Sequence, residues 1–423
     1  MGGKCKYGIL TAVLALLLAA ISCRKEEFRT GDQGSDSHPS GASREEMPMQ
    51  RRVLLLYAAG FNSLSDYLAE DIEDLAGGDY IPGCKITDPV LLVFSRLTLS
   101  RFNYTNETAP ALFRIYKDGN GNVLRDTLAI PGFDTHTVAT SGETMRSVLR
   151  FVKDRFPAAS YGMIFSSHGT GWLPEGYYSD PWEEQGGNIW SVGKRSLGQD
   201  LVGSHSYEMS LQDLHDAIPM HLNYMILDAC LMGGVEVAWS LRGIVDTLAF
   251  SQTEILADGF DYPKIARRLL VRGESGVVGA CRDYFDQYDV RTGNERSATV
   301  SVIDLEQMDD LAGVCASLFE KYRSVIATMN PNPVQRYYRS GRHWFYDLED
   351  ILLHAGITAE EQAQLSAALE RCTVYKAATP SFLSIDINHF SGLSMMLPSN
   401  ASDALKTWYR ENIAWNDATA LVE

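Results

Sequence analysis

Basic charge is in short supply in this chain: 37 Lys and Arg face 54 Asp and Glu, a formal net charge of −17. The deficit disfavours nucleic acid and anionic membrane surfaces as partners, while remaining compatible with basic substrates. Cysteine is sparse and irregularly placed. Cys5 and Cys23 lie near the N-terminus, and Cys84, Cys230, Cys281, Cys315 and Cys372 are scattered, with neither the spacing of a disulfide framework nor that of a zinc site. No internal repeat is visible, and the apolar run Tyr7–Ile21 is short for a bilayer span. What remains is an ordinary globular composition, 45% hydrophobic and 22% charged over 423 residues, enough for one large domain or two moderate ones.

Lys4 and Lys6 followed by that apolar run have the form of a secretory signal over residues 1–22. Ser22-Cys23 at its end resembles a bacterial lipobox, with Ala20 where leucine is usual, which makes Cys23 the expected site of lipidation. Arg24-Lys25-Glu26-Glu27 is similar to the signals that send Bacteroidetes lipoproteins to the outer surface. The expectation is therefore an exported protein, lipid-anchored to the cell envelope at the outer membrane and surface-exposed, touching membrane only through its anchor. Residues 23–50 are rich in Gly, Ser, Asp, Pro and Glu and predict a flexible tether.

From Arg51 the pattern is that of an α/β protein. Val53–Ala59 and Pro89–Ser95 are continuous apolar runs, suited to strands buried on both faces of a parallel sheet. Between them Leu64, Tyr67, Leu68, Ile72 and Leu75 have helical spacing, with Ser63 or Ser65 as a cap, so the chain opens β-α-β. Leu112–Tyr116 and Val123–Leu128 predict a hairpin around Asp118–Gly121, and Ser141–Phe156 a helix stopped by Pro157. Strands follow at Gly162–Ser167, Tyr224–Ala229 and Asp246–Ser251. Residues 173–210 form a long Gly-, Ser- and Trp-containing insert, the kind of loop that is functional or mobile. After Tyr262 the pattern is mostly helical, with strands at Thr299–Asp304 and Gly392–Leu397, so residues 51–262 are read as a catalytic domain and 263–423 as a helical part completing the fold.

Two strands end in reactive side chains. Gly162-Met-Ile-Phe-Ser-Ser-His168 runs into Gly169-Thr-Gly-Trp172, and Tyr224-Met-Ile-Leu-Asp-Ala-Cys230 into Leu231-Met-Gly-Gly234. In open α/β sheets the carboxyl ends of the strands line the ligand crevice, so His168 and Cys230 are expected together despite their separation in sequence. A thiolate is the attacking form of cysteine and needs a histidine or a helix N-terminus beside it; the helix expected from about Gly233 would lower the Cys230 pKa. Gly169 would leave its backbone bare beside a substrate carbonyl, so that its N–H and that of Cys230 form an oxyanion hole. His205, His215, His343, His354 and His389 have no such setting.

These two segments resemble the clostripain family (family C11) of cysteine peptidases, of the clan that includes caspases and legumain. The resemblance extends over roughly residues 51–400, including Trp344-Phe-Tyr-Asp-Leu and Gly392-Leu-Ser-Met-Met-Leu-Pro398. It implies a caspase-like α/β/α sandwich with a mainly parallel central sheet and a helical C-terminal extension. It also implies endopeptidase activity through a Cys/His dyad, on protein or peptide substrates with Arg or Lys at P1. No cofactor is required, although the resemblance is compatible with calcium. Asp228 matches the family position at the basic S1 pocket, or else bonds local backbone; Asp258 and Asp261 are further S1 candidates. Trp172 and Trp190 either wall the cleft or pack the insert down. Lys194-Arg195, the one dibasic pair in the insert, is either a self-cleavage site or a solvated loop tip. The alternative reading is a non-catalytic surface lipoprotein of the same fold that binds protein or glycan.

Overall fold

Apolar residues run unbroken along Val53–Ala59, Val90–Phe94, Met163–Phe165 and Tyr224–Leu227, and in the computed structural model all are buried. A strand buried on both faces needs a parallel, helix-covered sheet, and that is where these four lie. The structure describes residues 51–100, 103–174, 176–177, 197–202, 205–339 and 344–423. Cys23, Trp190, Lys194, Arg195 and His343 fall outside them, as do the signal and the tether.

The elements that matter for function are β1 (Arg52–Gly60), α1 (Ser65–Gly77), β2 (Val90–Leu97), β3 (Ala111–Lys117), β4 (Val123–Leu128), α2 (Gly142–Arg155), β5 (Ser160–Ser166), β6 (Leu197–Val202), β7 (His205–Met209), α3 (Leu211–Ala217), β8 (Leu222–Asp228), α4 (Val235–Leu241), β9 (Val245–Phe250), α5 (Tyr262–Ala266), β10 (Thr299–Asp304) and β11 (Thr373–Ala378). Nine of the strands form one sheet in the order β11-β10-β9-β8-β5-β1-β2-β3-β4. The five central strands are parallel; β3, β4, β10 and β11 are added antiparallel at the two edges. Separate hydrophobic clusters fill the two sides of the sheet. This is an α/β/α sandwich with a mainly parallel sheet, and the described residues belong to one compact unit.

Three elements differ from expectation. The insert is not wholly irregular: β6 and β7 pair as an antiparallel hairpin off the main sheet. Thr373–Ala378, which sequence analysis passed over, supplies an edge strand; its alternating half-buried pattern is what one covered face produces. Residues 392–397 contribute only the short pair Ser394–Met395 against Tyr346–Asp347. Neither serine expected to cap α1 does so. Asn62 Oδ1 accepts from Leu64 N at 2.8 Å, and Ser65 Oγ accepts from Thr98 N at 2.9 Å, tying the helix start to β2.

Candidate active site

Adjacent parallel strands β5 and β8 are in register with Ser166 opposite Asp228, so the residues just past their ends arrive side by side. His168 and Cys230 accordingly line one cavity of about 420 Å³, together with Gly169, Thr170, Asp228, Gln199, Glu254 and Ile255. They share the cavity without touching through a hydrogen bond. His168 Nε2 lies 2.9 Å from Ser63 Oγ, so the serine expected as a cap instead holds the imidazole. The Cys230 thiol rests against the backbone of Ile255, with Ile255 N donating to Sγ at 3.4 Å and Sγ donating to Ile255 O at 3.8 Å.

Electrostatics keeps both groups neutral at rest. Burial lowers the His168 pKa from its ordinary value. Burial also pushes the Cys230 thiol up to about 12, with Glu254 and Asp228 adding to the shift and Ile255 N–H and Arg339 opposing it. The expected depression by a helix N-terminus is not found. α4 begins only at Val235, beyond the Met232–Gly234 turn, and is seven residues long. The turn after Cys230 is tight: Leu231 has φ of 63°, while Leu231 N and Gly233 N donate to Thr253 O and Ser251 O at 2.9 and 2.7 Å. A non-glycine residue held in the left-handed region stores strain of about 1 kcal/mol or more, as residues at functional turns often do.

Gly169 also makes a close approach within the fold. A Cβ there would lie 2.6 Å from the Cys230 carbonyl oxygen and 3.0 Å from both Ala229 Cβ and Met232 Sδ. Its bareness makes room for the cysteine turn. Neither the Gly169 N–H nor the Cys230 N–H meets an acceptor among the described residues.

The sequence model of the clostripain family matches residues 56–420. The chain belongs to that family. It is a cysteine peptidase. A solved structure titled as an inactive zymogen C11 protease from Parabacteroides distasonis is 27% identical, with a TM-score of 0.70 over 87% of this chain and 97% of that one. A secreted C11 cysteine protease from Bacteroides thetaiotaomicron, iotapain, is 23% identical with a TM-score of 0.70 over 88% of this chain and 100% of that one. A secreted C11 protease from the same organism bound to an irreversible peptide inhibitor is 24% identical, with a TM-score of 0.69 over 88% of this chain and 99% of that one. The last two show likeness of fold. No curated protein matches the chain.

The remaining candidates of this clostripain-family chain separate cleanly. Asp228 is buried in the cavity wall and takes Tyr262 Oη at 2.8 Å and Ser166 Oγ at 3.2 Å, both on Oδ2. Asp258 does not line the cavity; it is half-exposed and pairs with Arg291 at 2.7 Å. Asp261 pairs with Lys264 at 2.6 Å and also stands off the cavity. Trp172 is buried, with its ring centroid 5.1 Å from that of Tyr409 and 6.2 Å from that of Phe345, so it packs the fold and does not wall the site. Among the described residues no group of three or more His, Cys, Asp or Glu side chains is placed to hold a metal ion. Among the same residues no helix is long and apolar enough to cross a membrane.

Two residues of the site were missed in the sequence: Ser63, which contacts His168, and Asp71, which lines the cavity. Ser63 lies too near a helix start to be read as anything but a cap. Asp71 left a usable signal: with Leu64, Leu68 and Leu75 it occupies one helical stripe, a carboxylate where the spacing calls for an apolar side chain.

The Gly169 packing gives a direct test. Gly169→Ala should reduce kcat/KM by on the order of 100-fold, because the backbone oxygen it displaces belongs to Cys230 and a shift of about 1 Å in a reacting group costs that much. Overpacking should also cost about 1–3 kcal/mol of stability. Peptide hydrolysis normalised to titrated thiol measures the first and a melting curve the second; wild-type values in both would refute the close approach.

Proposed function

We propose that the chain is an exported, lipid-anchored endopeptidase that cleaves after arginine or lysine, with Cys230 as nucleophile and His168 as general acid and base. The observation that carries this reading is the single cavity lined by His168, Cys230 and Asp228 at the ends of neighbouring parallel strands. Starting from a neutral thiol and a neutral imidazole, Cys230 Sγ attacks the scissile carbonyl carbon as its proton passes to His168. With Ser63 on Nε2, Nδ1 is the ring nitrogen left for that proton. The N–H groups of Gly169 and Cys230, without acceptors of their own, take the oxyanion. Collapse of the tetrahedral intermediate breaks the C–N bond, and the imidazolium gives its proton to the departing amine. Water, deprotonated by His168, then hydrolyses the thioester.

Asp228 supplies the charge for the P1 side chain. Both donors it accepts reach Oδ2, which leaves Oδ1 without a donor among the described residues. In the same reading Cys23 carries the lipid, residues 24–50 are the tether, and Lys194-Arg195 is the site of self-cleavage.

Fluorogenic peptides differing only in Arg, Lys, Asp or Leu at P1 test the reading. The wild-type enzyme should turn over the Arg and Lys peptides and neglect the others. Asp228→Asn should lower kcat/KM for Arg by about 10- to 100-fold, the worth of a charge-assisted hydrogen bond, while alkylation of Cys230 by iodoacetamide stays near wild type. Equal loss in both assays would make Asp228 structural, and indifference to P1 charge would overturn the specificity.

A further inference from the structure

Asp71 projects from the inner stripe of α1 and lines the same cavity as Asp228. It is 8% exposed, yet no hydrogen bond or ion pair reaches its carboxylate among the described residues. A buried carboxylate with no partner is costly, and sequences seldom keep one for packing. Its surroundings make matters worse. Burial raises its pKa, and the next contributions come from other carboxylates: Asp228, Asp74, Glu70 and Asp258. Asp228 too is raised, chiefly by burial. Two buried acids from different elements thus face one cavity, one holding a bare Oδ1 and the other two bare oxygens. Beside them Gly259, at φ of 57°, places no side chain; a Cβ there would come within 3.1 Å of Asp228 Oδ2. The missing component is a cation.

We propose that Asp71 is a specificity-determining residue of the P1 pocket, pairing together with Asp228 with the cationic end of an arginine or lysine side chain. This rests on the reading of the cavity as the peptidase site. The free oxygens of Asp71 accept two donors side by side from a guanidinium, while Asp228 Oδ1 accepts a third. A lysine ammonium, with three donors around a point charge, bridges the two carboxylates instead. Asp258, engaged with Arg291 outside the cavity, is left out of the pocket.

The experiment compares peptides with Arg or its uncharged isostere citrulline at P1, and Lys or norleucine, on the wild type and on Asp71→Asn. The variant should lose about tenfold or more of the Arg-over-citrulline and Lys-over-norleucine preference, the worth of a charge-assisted bond. Iodoacetamide labelling of Cys230 should stay near wild type, so that the change is read in the preference ratios. Its melting temperature at pH 8 should be equal or higher, because burial and the neighbouring carboxylates push the Asp71 carboxyl up to about 9 and the cost of burying it without a partner is removed; a carboxyl kept for structure would lower it. Asp71→Ser repeats the comparison should the amide perturb folding. Unchanged preference ratios in a folded variant overturn the role of Asp71 alone. Wild-type enzyme with no preference for charge at P1 overturns the reading of the pocket and this inference with it.

Discussion

Cys230→Ala is expected to lose at least about 10³-fold in peptide hydrolysis while its melting temperature moves little, an effect of the size that removal of a nucleophile produces. The small structural effect follows from what the thiol touches. Its contacts are the Ile255 N–H at 3.4 Å and the Ile255 carbonyl at 3.8 Å, both long, and the side chain is only half-buried. Cys281, Cys315 and Cys372 are fully buried and have no place in the cavity, so alanine there should do the reverse, costing stability of about 1–2 kcal/mol with little loss of turnover per folded molecule. Activity assays and melting curves on the four single variants would separate a reactive cysteine from structural ones. Cys230→Ala retaining more than a few per cent of wild-type turnover would remove Cys230 from the mechanism. The same variant should remain a single chain during purification and be cut when active enzyme is added.

What could be read in advance depended on whether one residue's signal was enough. Continuous apolar runs announce strands covered on both faces, so β1, β2, β5, β8 and the meeting of His168 and Cys230 in one cavity were legible. Glycines after His168 and Cys230 were legible as close approaches, but what approaches them was not. Gly169 yields to Cys230 itself, a contact set by the register of β5 on β8. β11 was passed over because one of its faces is covered only by tertiary packing. The helix expected beside Cys230 starts later than the sequence suggests, at Val235, and loss of water raises the pKa of the partly buried thiol. Ser63 and Asp71 show the same limit from the other side. Each sits where local grammar offers an ordinary role, a cap or a helix surface, and only the fold places Ser63 against His168 and Asp71 at the cavity.

The largest stability effect should come from Arg96→Met. Arg96 and Asp200 are both fully buried and pair at 2.8 Å. The guanidinium is otherwise satisfied by Thr108 O at 3.1 Å and Thr135 O at 3.0 Å and lies 4.5 Å over the Phe61 ring. Asp200 Oδ2 also accepts from Ala139 N at 2.6 Å. Removing the cation strands a buried carboxylate, which costs about 3–5 kcal/mol, and the Asp200 pKa is already raised by burial against the pull of Arg96. The double variant Arg96→Met with Asp200→Asn should recover part of the loss, since neither charge then remains buried alone. Activity should fall along with stability, because Asp200 anchors β6 and β6 borders the site. Gly198 N donates to His168 O at 2.9 Å, Gln199 N to Ser167 Oγ at 3.2 Å, and Leu201 N to Phe61 O at 2.9 Å. β6 begins two residues after Arg195, so after a cut at the proposed site these bonds and the ion pair would hold the new fragment to the strand end that carries His168. Wild-type fragments should therefore co-elute on size exclusion after processing, whereas those of Arg96→Met should separate at lower denaturant. Co-elution of wild-type and variant fragments at the same denaturant concentration would show that the ion pair does not anchor β6.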